Sequence, residues 1–372
     1  MTSVFLTTNT QPRLGVFFVL LMLLLSGCSH TPQTQQLMQL DHAEPHIELF
    51  DVPFFPQTEY QCGPAALATV LNFRDIEISP DELTAQVYVP ERKGSLQIEM
   101  TAAARRQGLV AYPINPSMSD LFSEVEAGNP VLVMQNLGYN WMPFWHYAVV
   151  VGFDLNQQTV ILRSAETKRM TTALATFERT WARTDYWGLV IVDPHQLPAT
   201  VNEVNWLRSA YDLQQTGQTE AALTAYQTAH QEWPSSSSST IALTNLLYEQ
   251  SDYRAADEVF ARALAQNPLQ ADLWNNRAHV LKALQCPQQA RSAAACGLSI
   301  APDNSHLQST HQTMRALDDQ QAETGLPDRR LPVVTAVPEA ICFNKHLNKQ
   351  KHNISGCIIM VRVFSDDPNW QR

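Results

Sequence analysis

The chain has 372 residues, of which 45% are hydrophobic and 16% charged. That length suits about two domains of ~100–200 residues each, and the apolar fraction excludes a wholly disordered chain. The net charge of −11 leaves no concentrated positive surface for phosphates, which excludes a general nucleic-acid role, and six cysteines are too few for a disulfide scaffold.

Residues 14–25 form an unbroken apolar run, LGVFFVLLMLLL, preceded by Arg13. The run is short of the ~20 residues a membrane-spanning helix needs but matches the core of a signal peptide. Leu25-Ser26-Gly27-Cys28 follows directly. This resembles a bacterial lipobox, in which the chain is cut before the cysteine and the thiol is lipidated. The other reading is a plain signal peptide with an incidental cysteine. The lipobox implies a signal peptide over 1–27, Cys28 as the lipidated residue, and a membrane partner through that lipid. By family analogy, Ser29 in place of Asp implies the periplasmic face of the outer membrane. Residues 28–45 are polar and are expected to form a tether.

Residues 46–200 read as one α+β unit. Cys62-Gly63-Pro64 opens a helix through AALATVLNF, with proline in its first turn. A second helix is expected over 95–108, ended by Gly108, and a third over 119–128, with Ser119 or Asp120 as N-cap and Gly128 as stop. Strand-like runs rich in Val, Ile and aromatics follow at 130–137, 146–153, 159–164 and 186–192. Helices followed by mostly antiparallel strands make an α+β layout.

Residues 203–318 lose all strand signal and become periodic. Pro234, Pro268 and Pro302 are spaced by 34, as are Ala222, Ala256 and Ala290, and Tyr226, Phe260 and Ala294 follow each alanine by four. Trp206 and Trp274 lie two periods apart. This resembles the tetratricopeptide pattern, in which small alanines allow close helix approach, an aromatic fills the gap and proline ends the second helix. It implies three repeats in an all-α array with a protein partner. Arg277 and Ala278 depart from the usual Leu-Gly, and serines at 235–239 blur one junction. Residues 319–372 are read as linker-like at first and receive no fold; Cys342 and Cys357 lie there with nothing to position them.

The chemistry concentrates in three places. Cys62 at a helix start is expected to have a lowered pKa, because free amides and the helix dipole favour a thiolate. His146 opens a strand and can pair with the thiol, then protonate a leaving group. Gln57 lies upstream on an extended segment and can supply an oxyanion donor, with Gln61 as the weaker candidate. VPFFPQTEYQCGPAALATVL and HYAVVVGFD resemble the nucleophile and histidine segments of the C39-like cysteine peptidases. The resemblance covers about residues 46–195. It implies a papain-like fold, a peptide or protein substrate, and cleavage after small residues such as Gly-Gly. Cys62 would be nucleophile, His146 base and Gln57 oxyanion donor. Where the family places an Asp or Asn to orient the imidazole, this chain has Ser164; Asp154 sits nearby in a hairpin turn. That departure leaves a peptide-binding pseudo-peptidase as the alternative function. The remaining histidines show no metal-ligand spacing, so neither metal nor cofactor is expected. Cys286 and Cys296 read as core residues. The aromatic run at 141–145 can line a substrate groove or pack internally.

Overall fold

The computed structural model describes residues 31–39, 44–56, 61–92 and 94–324. Cys28, Gln57 and the tail from 325 lie outside the described residues. Contacts divide the chain into two compact units, one of residues up to 95 with 114–190, the other of 96–113 with residues from 191 onward. In chain order the first elements are α1 (Pro32–Leu37), β1 (His46–Glu48), α2 (Cys62–Phe73), α3 (Pro80–Val87), β2 (Tyr88–Val89), β3 (Gly94–Ser95), α4 (Gln97–Arg106) and β4 (Val110–Pro113). Then come α5 (Met118–Glu126), β5 (Val131–Asn136), β6 (Trp145–Asp154), β7 (Thr159–Ser164), β8 (Thr167–Ala173), α6 (Leu174–Ala182) and β9 (Gly188–Val192).

The main sheet has the order β4-β9-β5-β6-β7-β8, with β1 also paired to β6. The pairs β5–β6, β5–β9, β6–β7, β7–β8 and β1–β6 are antiparallel. Successive residues of β5, β6, β7 and β9 are buried on both parities, so both faces of the sheet are covered. α2 packs on β5, β6 and β7, and α5 and α6 also lie on these strands. Every residue of α2 from Gly63 to Leu71 is buried, which explains why its sequence is apolar all round and not striped. Phe122 of α5 stacks on Phe153 of β6 with ring centroids 4.3 Å apart. Gly152 in β6 is required by close approach: a Cβ there would lie 2.4 Å from the Ile47 carbonyl oxygen of β1.

Several local details differ from the sequence expectation. The third expected helix is α5, and its N-cap is Ser117, whose hydroxyl accepts the Asp120 N–H at 3.2 Å. Ser117 is the last extended residue, so its side chain, not that of Ser119 or Asp120, reaches the first free amides. α3 was not anticipated, although Ser79-Pro80-Asp81-Glu82 forms a full capping box. The stretch expected to be a tether contains α1, and α1 is held on the first unit. Its Gln33 and Thr34 N–H groups donate to the buried Glu178 carboxylate at 3.1 and 2.7 Å. Gln33 Oε1 accepts the Met118 N–H, Gln33 Nε2 donates to the Pro116 carbonyl, and Leu37 is fully buried.

The second unit continues as α7 (Glu203–Gln215), α8 (Thr219–Glu232), α9 (Ser237–Glu249), α10 (Tyr253–Gln266), α11 (Ala271–Ala283), α12 (Pro287–Ile300) and α13 (Ser305–Thr324). α7, α9, α11 and α13 begin at 203, 237, 271 and 305, each 34 residues after the last. The unit is therefore a helical repeat array. The turns repeat too: Gly217, Ser251 and Gln285 share a left-handed backbone at φ 81°, 61° and 60°. Ala222, Ala256, Ala290, Tyr226, Phe260, Ala294, Trp206 and Trp274 are all buried, as the close-packing argument requires. The serine run does not blur its junction: Ser236 caps α9, and the following serines form its first turn. Arg277, one of the departures from the repeat pattern, pairs with Asp257 at 2.7 Å. α13 runs to Thr324, so Asp319–Thr324, read as the start of a linker, is helical.

Candidate active site

Cys62 is the first residue of α2, and Pro64 occupies the first turn, where its missing N–H leaves no intrahelical bond unmade. The helix end is covered by β6. The backbone amide of Tyr147 points at the Cys62 sulfur, as do those of Gly63 and Cys62 itself. These donors favour a thiolate, but burial outweighs them and pushes the thiol above its ordinary pKa. The expectation of a lowered pKa is thus corrected. The helix start is there, but the thiol is partly buried, and desolvation is the larger effect.

His146 precedes Tyr147 on β6 and is 8% exposed. It pairs across the sheet with Gln135 of β5, whose side chain donates to Thr180 Oγ1 at 2.7 Å. His146 Nε2 lies 2.8 Å from Ser164 Oγ at the end of β7. Burial lowers the imidazole pKa to about 4, so the ring is neutral at pH 7. Ser164 is itself buried and adds no charge to offset that desolvation. The fold therefore joins His146 to Ser164, and the next residue along β6, Tyr147, presents its amide to Cys62.

The other candidate residues are placed as follows. Asp154 closes the far end of β6, opposite His46, and accepts the Gln157 N–H in the turn. Gln61 is the N-cap residue of α2, and its Nε2 donates to Asp81 Oδ1 at 3.4 Å. Cys286 and Cys296 are buried among the repeats.

Two supports were not foreseen. Tyr147 turns its hydroxyl to the Ser95 carbonyl at 3.2 Å while its backbone amide serves the sulfur. Its place beside His146 was the available signal. Arg163, buried one residue before Ser164, donates to the carbonyls of Leu49 and Val52 at 3.3 and 3.2 Å. It thus pins the strand exit that leads toward Gln57 and Cys62. A buried arginine inside the run VILRS marked this position, since a buried charge needs partners.

The aromatic run was read as groove or packing. Trp141 and Trp145 are 78% and 49% exposed, so it is not internal packing. Among the described residues no group of His, Cys, Asp or Glu is placed to hold a metal ion.

A C39-like peptidase from Bacillus anthracis is similar to this chain at 18% identity and TM-score 0.34, covering 40% of this chain and 98% of its own. A double glycine motif protease from an AMS/PCAT transporter, solved with its leader peptide, is similar at 22% identity and TM-score 0.29, covering 38% and 91%. The first TPR of Spaghetti (RPAP3), bound to an HSP90 peptide, is similar at 15% identity and TM-score 0.28, covering 31% and 93%. No curated protein matches. Residues 49–188 match the model of the Peptidase_C39 like family, and the structure there is a mixed α/β domain followed by the helical array.

Proposed function

We propose that the chain is a thiol peptidase in which Cys62 attacks a peptide carbonyl and His146 acts as base and then acid. The observation that carries this is the alignment of Cys62 at the start of a buried central helix with His146 and its 2.8 Å partner Ser164 on adjacent strands. With Nε2 engaged by Ser164, Nδ1 is the ring atom that accepts the thiol proton as the C–S bond forms. The tautomer with hydrogen on Nε2 donates to Ser164 Oγ, which makes Ser164 a positioning residue. The tetrahedral oxyanion is stabilised by the Gln57 side-chain amide, a role carried over from the family resemblance. Collapse breaks the C–N bond, and the His146 proton goes to the departing amine. Water then hydrolyses the thioester with His146 again as base.

Burial raises the thiol and lowers the imidazole, so both changes favour a neutral pair at rest. Serine stabilises the developing imidazolium less than a carboxylate does. This favours slow turnover, and at its limit the second reading, a peptide-binding pseudo-peptidase. Small residues such as Gly-Gly before the cleaved bond, a lipid on Cys28, residence at the periplasmic face of the outer membrane and a protein partner on the tetratricopeptide-like array complete the reading.

The test is a thiol-reactive peptide probe ending in Gly-Gly, applied to wild type, Cys62→Ala and His146→Ala. Labelling at Cys62 that depends on His146 is expected. Labelling no faster than that of a free thiol sinks the enzyme and leaves the binding module. For the anchor, Cys28→Ser should move the protein to the soluble fraction.

A further inference from the structure

The β5–β6 hairpin and the start of β6 carry Tyr139, Trp141, Met142, Phe144 and Trp145, all exposed. Residues 137–145, LGYNWMPFW, contain no charge. The hairpin is built rigidly for an exposed loop. Asn136 Oδ1 accepts the N–H groups of Gly138 and Phe144 at 3.0 and 2.9 Å. Arg183, the C-cap of α6, donates to the carbonyls of Asn136 and Gly138 at 3.1 and 2.7 Å. Gly138 has no room for a side chain: a Cβ would lie 2.4 Å from the Met142 carbonyl oxygen. The Tyr139 and Trp141 rings stack on one another at 5.9 Å. An uncharged aromatic patch fixed in an exposed position marks an interaction surface.

Where the chain enters the first unit tells what lies against that surface. Thr31 is buried and α1 is seated on Glu178. Only two residues lie between Cys28 and Thr31, so the three steps reach at most about 11 Å when fully extended. Glu178 and Arg183 belong to the same helix and its cap, five residues apart, which is about 7.5 Å of helical rise. The seat of α1 and the clamp of the hairpin are therefore both carried by α6 and its C-cap, about one and a half turns apart along the axis. Tyr and Trp rings favour the water–lipid boundary, where an apolar body and a polar tip are both satisfied.

We propose that residues 139–145 insert into the interfacial layer of the lipid bilayer, next to the lipid carried by Cys28. This rests on the lipidation of Cys28 and not on catalysis. Because His146 follows the inserted segment directly, the site then works on peptides at the membrane surface.

The test reconstitutes the full chain, purified from membranes, into phosphatidylethanolamine–phosphatidylglycerol vesicles with brominated acyl chains. Tryptophan quenching is compared for wild type and the double variant Trp141→Phe, Trp145→Phe, and the mass of the Cys28 peptide is measured on the same preparation. With lipid on Cys28, quenching that falls at least twofold in the double variant and persists in 1 M salt is expected. Cys62→Ala must quench like wild type, which separates this result from the peptidase reading. A lipidated chain whose quenching is absent, or unchanged in the double variant, overturns insertion. A hairpin that responds to a Gly-Gly peptide but not to brominated lipid overturns it in favour of a substrate surface. An unmodified Cys28 removes the anchor and overturns the proposal with it.

Discussion

Replacing His146 by Gln removes a buried imidazole while keeping a side chain able to bond Ser164. In the folded chain burial holds this imidazole at about 4, whereas the unfolded value is about 6.5. As pH falls the unfolded chain takes up this proton first. The stability associated with the neutral ring is therefore fully present above pH ~6.5 and is lost as pH falls through ~4. Between pH 7.5 and pH 4.5 the loss amounts to about 2–3 kcal/mol. The carboxylates titrate alike in wild type and His146→Gln, so the difference between the two chains isolates the ring. Hydrogen exchange of the β6 amides at both pH values reads the opening free energy of this unit. Wild type should lose about 2–3 kcal/mol more than the variant on acidification. Equal losses, within ~0.5 kcal/mol, would refute a desolvated neutral His146.

Three further outcomes follow from particular contacts. Iodoacetamide should alkylate Cys62 at a rate still climbing at pH 9, measured as the difference from Cys62→Ala, because burial raises the thiol; a plateau by pH 7 contradicts this. Ser164→Ala should lower kcat for a Gly-Gly peptide about 10-fold with little change in KM, since it acts through the ring; an unchanged kcat removes Ser164 from the mechanism. Gly217→Ala should destabilise the helical array by about 1 kcal/mol in thermal melts, because φ is +81° while the space beside it is open; a neutral result would show that the turn relaxes.

The parts most legible in the sequence were those where local chemistry and packing agree. Cys62-Gly63-Pro64 and HYAVVVGFD announced the helix start and strand that meet at the site, and the recurring Ala, aromatic and Pro positions announced the array. The Cys62 pKa was not legible, because it depends on how deeply β6 buries a helix end, and burial is a tertiary property. α1 was hidden for a similar reason. PQTQQL is polar and short, and its partners, Glu178 about 145 residues downstream and Pro116 and Met118 about 85 downstream, are distant in the sequence. β8 was missed because its exposed face makes TKRMTTA look like loop.

That long separation orders events in time. Residues that emerge first from a ribosome or a translocation channel have no seat until α6 has been made and packed. Until then, anything attached upstream of Thr31 trails on a free chain. Once Glu178 is in place, Gln33 and Thr34 are fixed by their bonds to its carboxylate. On the proposed lipidation of Cys28, the distance between that lipid and the first unit is therefore set by the completion of folding.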